Sequence, residues 1–227
     1  MKKSFVICLM LILSFGLFTS VFADAEFTIT DKTLIIYDDD DDGYFFARAE
    51  NTGDAGGFIG SGTLTILDES GEVMIEKKYI GTSPSSIYLE PGEHAYFKYS
   101  IWEKILLEKK PGDFDFVPTL QNYGKHYHVI PCDVELYYPG KESYDNSIFV
   151  TFTNTGDDIL HNFEIVAAVY DPSDTLIYTA GRQFNDIAVH PGSTITIMLT
   201  YNNKNVEYQD NHEIIPSRIE AITYVED

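Results

Sequence analysis

Cysteine is almost missing from this chain. There are two, Cys8 and Cys132, and Cys8 lies inside an N-terminal apolar run with no small residues ahead of it, so a lipoprotein anchor is not expected there. Once that run is removed, Cys132 stands alone, no intramolecular disulfide can form, and core burial must hold the fold. Basic residues are scarce as well. Fifteen Lys and Arg face 36 Asp and Glu, a net charge of −21. Such a field repels phosphate backbones and anionic headgroups, which argues against nucleic acid and peripheral membrane partners. Solubility outside the cell is the plain reason for it. Apolar stretches long enough to matter for a membrane are also lacking beyond residues 5–18. No phosphate loop, dinucleotide fingerprint or basic patch is found, and the expectation is a protein that is not an enzyme and has no cofactor.

The N-terminus reads as a signal peptide over 1–23. Lys2 and Lys3 precede the apolar run, and Val21, Phe22 and Ala23 end it with the small residues a peptidase reads, so cleavage before Asp24 is expected. Retention of the run as an anchor is the other reading; with cleavage, no membrane span remains. About 200 residues are then left, enough for one large or two small all-β domains.

An internal repeat decides between these. Asn51, Thr52, Gly53 and Asp54 recur as Asn154, Thr155, Gly156 and Asp157, and at the same offset Phe46 falls on Phe149, Asp68 on Asp171 and Ser70 on Ser173. A three-residue shortening brings Pro91-Gly92 onto Pro191-Gly192. The runs between these turns alternate with period two: Phe45, Ala47 and Ala49 against Phe46, Arg48 and Glu50, and Ile195, Ile197 and Leu199 against Thr194, Thr196 and Met198. Gly53 and Gly156 are expected at positive φ. The tetrads beginning at Asp68 and Asp171 are expected as hairpin turns. Seven strands follow for the first copy, near 33–37, 44–50, 62–67, 73–80, 86–90, 95–100 and 114–119, with counterparts in the second. Residues 101–107 form a helical crossover with Trp102 packed beneath it, and 120–131 form a linker. The fold class is all-β: two tandem immunoglobulin-like β-sandwiches of about seven strands each, over 24–124 and 125–227, after the signal peptide.

The order of these turns resembles the FxLYD-type immunoglobulin-like domains of bacterial exported proteins. Ala168, Val169, Tyr170 and Asp171 with Pro191-Gly192 carry the resemblance in the second copy, and Thr65, Ile66, Leu67 and Asp68 with Pro91-Gly92 carry it in the first. The family's phenylalanine is absent from both, and Leu67 replaces its tyrosine in the first. The resemblance implies the fold and an extracytoplasmic setting and lends little chemistry.

Four groups of residues invite a function. Asp38, Asp40 and Asp42 before Gly43 match the first half of a calcium loop, but position twelve is Ala49, so a solvated hairpin tip is the default and calcium the alternative. His126 and His128 would share a face on an extended segment beside Cys132, yet the spacing fits no common zinc pattern, and a polar linker is expected. A thiol enzyme built on Cys132 with one of those histidines lacks any oxyanion-binding loop. Aromatics are plentiful, at 16 Tyr and 15 Phe, and Tyr137, Tyr138 and Tyr144 crowd one end of the second sandwich as a candidate partner surface, with Phe46 and Tyr96 pointing outward from the first. The resulting expectation is a secreted or envelope-associated binding, adhesion or structural module with a protein or glycan partner outside the cell.

Overall fold

The computed structural model describes residues 24–37, 41–140 and 145–227; the leader assigned to 1–23 lies outside them. The fold is all-β and antiparallel, in two sequential sandwich-like halves. The first contains β1 (Phe27–Ile36), β2 (Asp42–Asn51), β3 (Gly57–Asp68), β4 (Val73–Ser83), β5 (Ile87–Leu89), β6 (His94–Trp102) and β7 (Pro111–Gln121). The second contains β8 (Tyr127–Ile130), β9 (Cys132–Tyr137), β10 (Ser147–Thr153), β11 (Phe163–Tyr170), β12 (Leu176–Phe184), β13 (Thr194–Thr200), the helix α1 (Asn203–Asn211) and β14 (Arg218–Glu226).

In the first half β1-β2-β6 form one layer and β7-β3, with β4 and β5 on the far side of β3, form the other. Alternation sets what meets between them. Phe45, on the inward parity of β2, packs on Phe116 of β7 at 4.8 Å between ring centres, and Phe97 of β6 meets the same ring at 4.7 Å. At its end β4 leaves β3 and pairs with β6 through Thr82 and Ser83, joining the layers. In the second half β13-β10-β9 face β12-β11-β14-β8, with Phe152 of β10 edge-on to Phe163 of β11 at 5.3 Å.

The turns repeat bond for bond. Asn51 is fully buried: its amide group donates to Ala55 O and Leu89 O and its Oδ1 accepts from Gly53 N. Asn154 does the same with Asp158 O, Val189 O and Gly156 N. Asp68 and Asp171 each accept from the amides two and four residues on. Gly92 and Gly192 sit at φ +84 and +73. Gly53 and Gly156 do not adopt positive φ, contrary to the expectation. Gly53 is required for room instead, since a Cβ there would lie 2.2 Å from Asp24 O.

Three further expectations are corrected. Trp102 is 67 % exposed at the end of β6, and the buried residue of the short 3-10 turn Lys104–Leu107 is Leu106. The stretch 120–131 is no free linker, because β7 runs to Gln121 and β8 is hydrogen-bonded to β14. Phe46 and Tyr96 point away from the first core but are buried, 0 % and 1 % exposed, because the second half covers them. Phe46 meets Tyr178 of β12 at 5.7 Å. The outer face of β1-β2-β6 thus packs on the outer face of β12-β11-β14. For this reason Ile165, Val166, Ala167, Ala168 and Val169 are all buried, with no alternation: one face of β11 looks into its own core and the other into the seam.

Candidate functional site

The seam between the halves carries the densest polar chemistry. Tyr96 reaches it from the outward parity of β6, Tyr170 from the last position of β11, and Glu220 from β14. The Tyr96 hydroxyl donates to Glu220 Oε1 and lies 3.0 Å from the Tyr170 hydroxyl, which itself donates to Glu220 Oε1 at 2.6 Å. Burial alone would raise the Glu220 carboxyl, but the two phenol donors outweigh it and hold the group below the usual glutamate range. Burial, and then the neighbouring Tyr170 and Glu220, push the Tyr96 phenol far up. His94 Nε2 extends the chain at 3.3 Å from the Tyr96 hydroxyl, and burial followed by the Arg48 charge depresses its imidazole.

On one side this network opens into a cleft of about 390 Å³ lined by Thr30, Asp31, Arg48, Tyr170, Asp174, Arg218 and Glu220. Arg218 lies over the Tyr170 ring at 3.6 Å, and donates to Asp174 Oδ1 and Glu220 Oε2 at 2.8 and 2.9 Å. Arg48 Nη1 donates to Thr30 Oγ1 and Glu50 Oε2 at 2.8 and 3.0 Å. Asp31 Oδ2 accepts from Leu176 N at 2.7 Å, and burial raises its carboxyl. Both guanidinium groups thus have carboxylate partners, Arg48 in Glu50 and Arg218 in Asp174 and Glu220. The cleft offers donors and acceptors side by side without a single sign of charge. An apolar hollow of about 320 Å³, lined by Leu89, Tyr127, Val129, Ile222 and Tyr224 among others, also spans the two halves at His94.

The residues singled out from sequence are placed elsewhere. Asp42 is 3 % exposed; its Oδ2 accepts from Lys204 of α1 at 2.9 Å, and its Oδ1 has no hydrogen-bond partner. Asp38 and Asp40 lie outside the described residues, among which no cluster of three His, Cys, Asp or Glu suited to a metal is found. The His126 ring packs on Tyr88 and Phe58 at 4.4 and 5.3 Å, whereas His128 Nδ1 pairs with Asp227 Oδ1 at 2.8 Å. Cys132 Sγ donates to Ala221 O at 3.1 Å and burial raises its thiol. These three are held by separate partners. Tyr137 is 51 % exposed, Tyr138 is partly buried with its hydroxyl 3.2 Å from Asp210 Oδ1, and Tyr144 is outside the described residues.

Sequence reasoning passed over Arg48, Tyr170, Arg218 and Glu220. One signal pointed to their setting: the unbroken apolar run 165–170, where a half-exposed strand would alternate.

No protein-family model matches the chain, and no curated protein matches it. Among solved structures it is similar to the crystal structure of red sea bream transglutaminase, at 9 % identity and a TM-score of 0.26, over 89 % of this chain and 29 % of that one. The chain thus spans under a third of that protein's length, and a likeness this distant carries no argument about activity.

Proposed function

We propose that the mature chain is an exported, non-enzymatic binding module of a bacterial envelope or secretion, built from two tandem immunoglobulin-like domains of the FxLYD type. The seam cleft takes its partner, and a glycan fits it best. The observation that carries this reading is the cleft itself: two hydrogen-bonded guanidinium groups alternate with carboxylates and with the hydroxyls of Thr30 and Tyr170. Such a lining satisfies the paired donors and acceptors of sugar hydroxyls, whereas an anion would meet Asp31, Asp174 and Glu220, and a cation the two arginines. A glycan array probed with the purified protein and with Arg218→Ala is the test. Ligands that bind the parent and lose at least about tenfold in affinity on the variant support it; binding that Arg218→Ala and Arg48→Ala leave unchanged removes the cleft from the account.

A calcium-stabilised surface module is the second reading, favoured by the buried and partnerless Asp42 Oδ1. It requires that millimolar calcium raise the melting temperature and that Asp42→Asn abolish the rise. The Lys204 ammonium already on Asp42 opposes it.

A further inference from the structure

Sheet edges expose unpaired amides and carbonyls, and soluble proteins blunt them with charge, proline, bulges or brevity. The edges of this molecule show those devices. β1 carries Asp31, Lys32 and a register shift; β7 carries Asp113, Asp115 and Pro118; β9 carries Asp133 and Glu135. β8 and β5 are four and three residues long, and β12 has Arg182 and gives Thr179 O to Lys98.

β13 has none of them. Its seven residues Thr-Ile-Thr-Ile-Met-Leu-Thr contain no charge and no proline, and its ladder with β10 has no shift, in a chain of net charge −21. The register fixes which backbone groups are open. Tyr201 N donates to Asn146 O and Asn154 N to Ser193 O, so the odd-numbered residues of β13 bond to β10. The amides and carbonyls of Thr194, Thr196, Met198 and Thr200 therefore point away from it. Among the described residues only Thr200 O has a further partner there, the Tyr178 hydroxyl at 3.1 Å, and a carbonyl accepts two bonds.

We propose that β13 pairs antiparallel with β13 of a second copy of this chain, about a two-fold axis through Ile197. The strand is close to self-complementary about that centre. Ile195 faces Leu199 of the second copy and Ile197 faces itself, which continues the core side. Thr194 faces Thr200 and Thr196 faces Met198 on the exposed side. The even-numbered residues then form the hydrogen-bonded pairs, and a six-stranded sheet spans the dimer. A second copy is the fitting occupant because neutral, mirror-ordered side chains meet no like charge at the contact itself. The repulsion of two acidic bodies remains at long range, so salt strengthens the pairing.

Sedimentation of the purified protein across concentration and salt tests this, joined to residue-resolved amide exchange. A dimer is expected that grows with concentration and with salt, and in it the Thr196 and Met198 amides exchange at least about tenfold more slowly. Thr196→Glu and Met198→Lys should each yield a monomer; Met198→Lys should melt as the parent does when too dilute to dimerise, since its side chain is exposed, and Thr196→Glu slightly lower, since it gives up the exposed bond to Thr151 Oγ1. The double variant should dimerise again, because the carboxylate introduced by the first substitution would face the ammonium introduced by the second across the axis. A protein that stays monomeric at high salt and at its highest soluble concentration overturns the proposal. So does a dimer whose β13 amides exchange as in the monomer, or one that both single variants leave intact. A double variant that remains monomeric rules out this register.

Discussion

Removing the buried amide of Asn51 should destabilise the protein more than any exposed substitution, and the structure sets the size. Asn51 is 0 % exposed and makes four bonds: to Ala55 O at 2.8 Å, to Leu89 O at 3.0 Å, from Gly53 N at 3.1 Å and from Glu26 N at 3.3 Å. Asn51→Ala takes a bond from all four partners. The Leu89 carbonyl keeps its place in the ladder opposite Gly57, the other three are part-exposed, and each loss costs roughly 0.5–1 kcal/mol. The total is about 3 kcal/mol, a large share of the stability of an ordinary domain. Asn154→Ala takes a bond from Asp158 O, Gly156 N and Val189 O, the last of which keeps Leu160 N, and should cost about 2 kcal/mol. Equilibrium urea unfolding followed by far-ultraviolet circular dichroism reads both; Trp102 is too exposed to report on either core. Asn51→Asp is the sharper control. It keeps Oδ1 but turns a carboxylate oxygen toward two carbonyls, so its penalty should shrink once acid protonates it and an O–H can donate again. A loss below about 1 kcal/mol for Asn51→Ala would refute the view that this side chain fastens the turn to the Pro91-Gly92 loop.

Other perturbations address the seam. Burial pushes Lys98 down to about 8, with its ammonium donating to Thr179 O and lying over the Tyr178 ring. A depressed lysine favours the fold above its unfolded range and loses that advantage as pH falls through 8. The Lys98 contribution should therefore rise by up to about 1 kcal/mol per pH unit above pH 8, and Lys98→Met should remove that rise in urea titrations at each pH. From about pH 9 upward the tyrosines of the unfolded chain begin to ionise while the buried phenols, Tyr96 and Tyr224 among them, are held protonated, so the curve should flatten and turn down. Burial raises Glu164, which accepts from Ser83 across the seam. A raised carboxyl favours the fold fully below the unfolded range and loses that contribution as pH rises, so Glu164→Gln should melt higher than the parent at neutral pH and converge with it in acid. Tyr96→Phe takes one of two phenol donors from Glu220 and should cost about 1–3 kcal/mol in the same unfolding assay; no loss would mean the network does not fasten the halves.

The turns could be read from sequence because their chemistry is local. An asparagine two residues before a glycine, an aspartate ahead of a serine and a Pro-Gly pair each satisfy their own backbone, wherever the domain sits. The strands followed, since period-two alternation over Phe45 to Ala49 and Ile195 to Leu199 admits one register. The seam was harder because outward parity does not say whether the outside is water. Phe46 and Tyr96 look the same in sequence as surface aromatics, and their burial depends on a face more than 70 residues away. α1 escaped for a related reason. Its residues are polar, and it is fixed by Asn202 capping the Asn205 amide and by Lys204 and Asn205 reaching Asp42 and Tyr37 of the other half. Trp102 is expected beneath the crossover 101–107, whereas the buried residue of the 3-10 turn is Leu106.

The two halves, so alike in their turns, end with different edges. In the first half β4 is free to leave β3 and pair with β6 through Thr82 and Ser83, which covers part of that edge. The corresponding segment of β12 stays on β11, with Arg182 opposite Ile165 and Gln183 opposite Glu164. The opening residues of β12 meanwhile pack on the first half: Leu176 bonds Asp31 and Thr33, Thr179 O takes Lys98, and Tyr178 lies against Phe46. With the later residues of β12 kept on β11, the β13 edge is left open to a second copy. Weakening the seam with Tyr96→Phe should accordingly loosen the cleft without changing how β13 pairs, because β13 contributes no residue to the lining of the cleft.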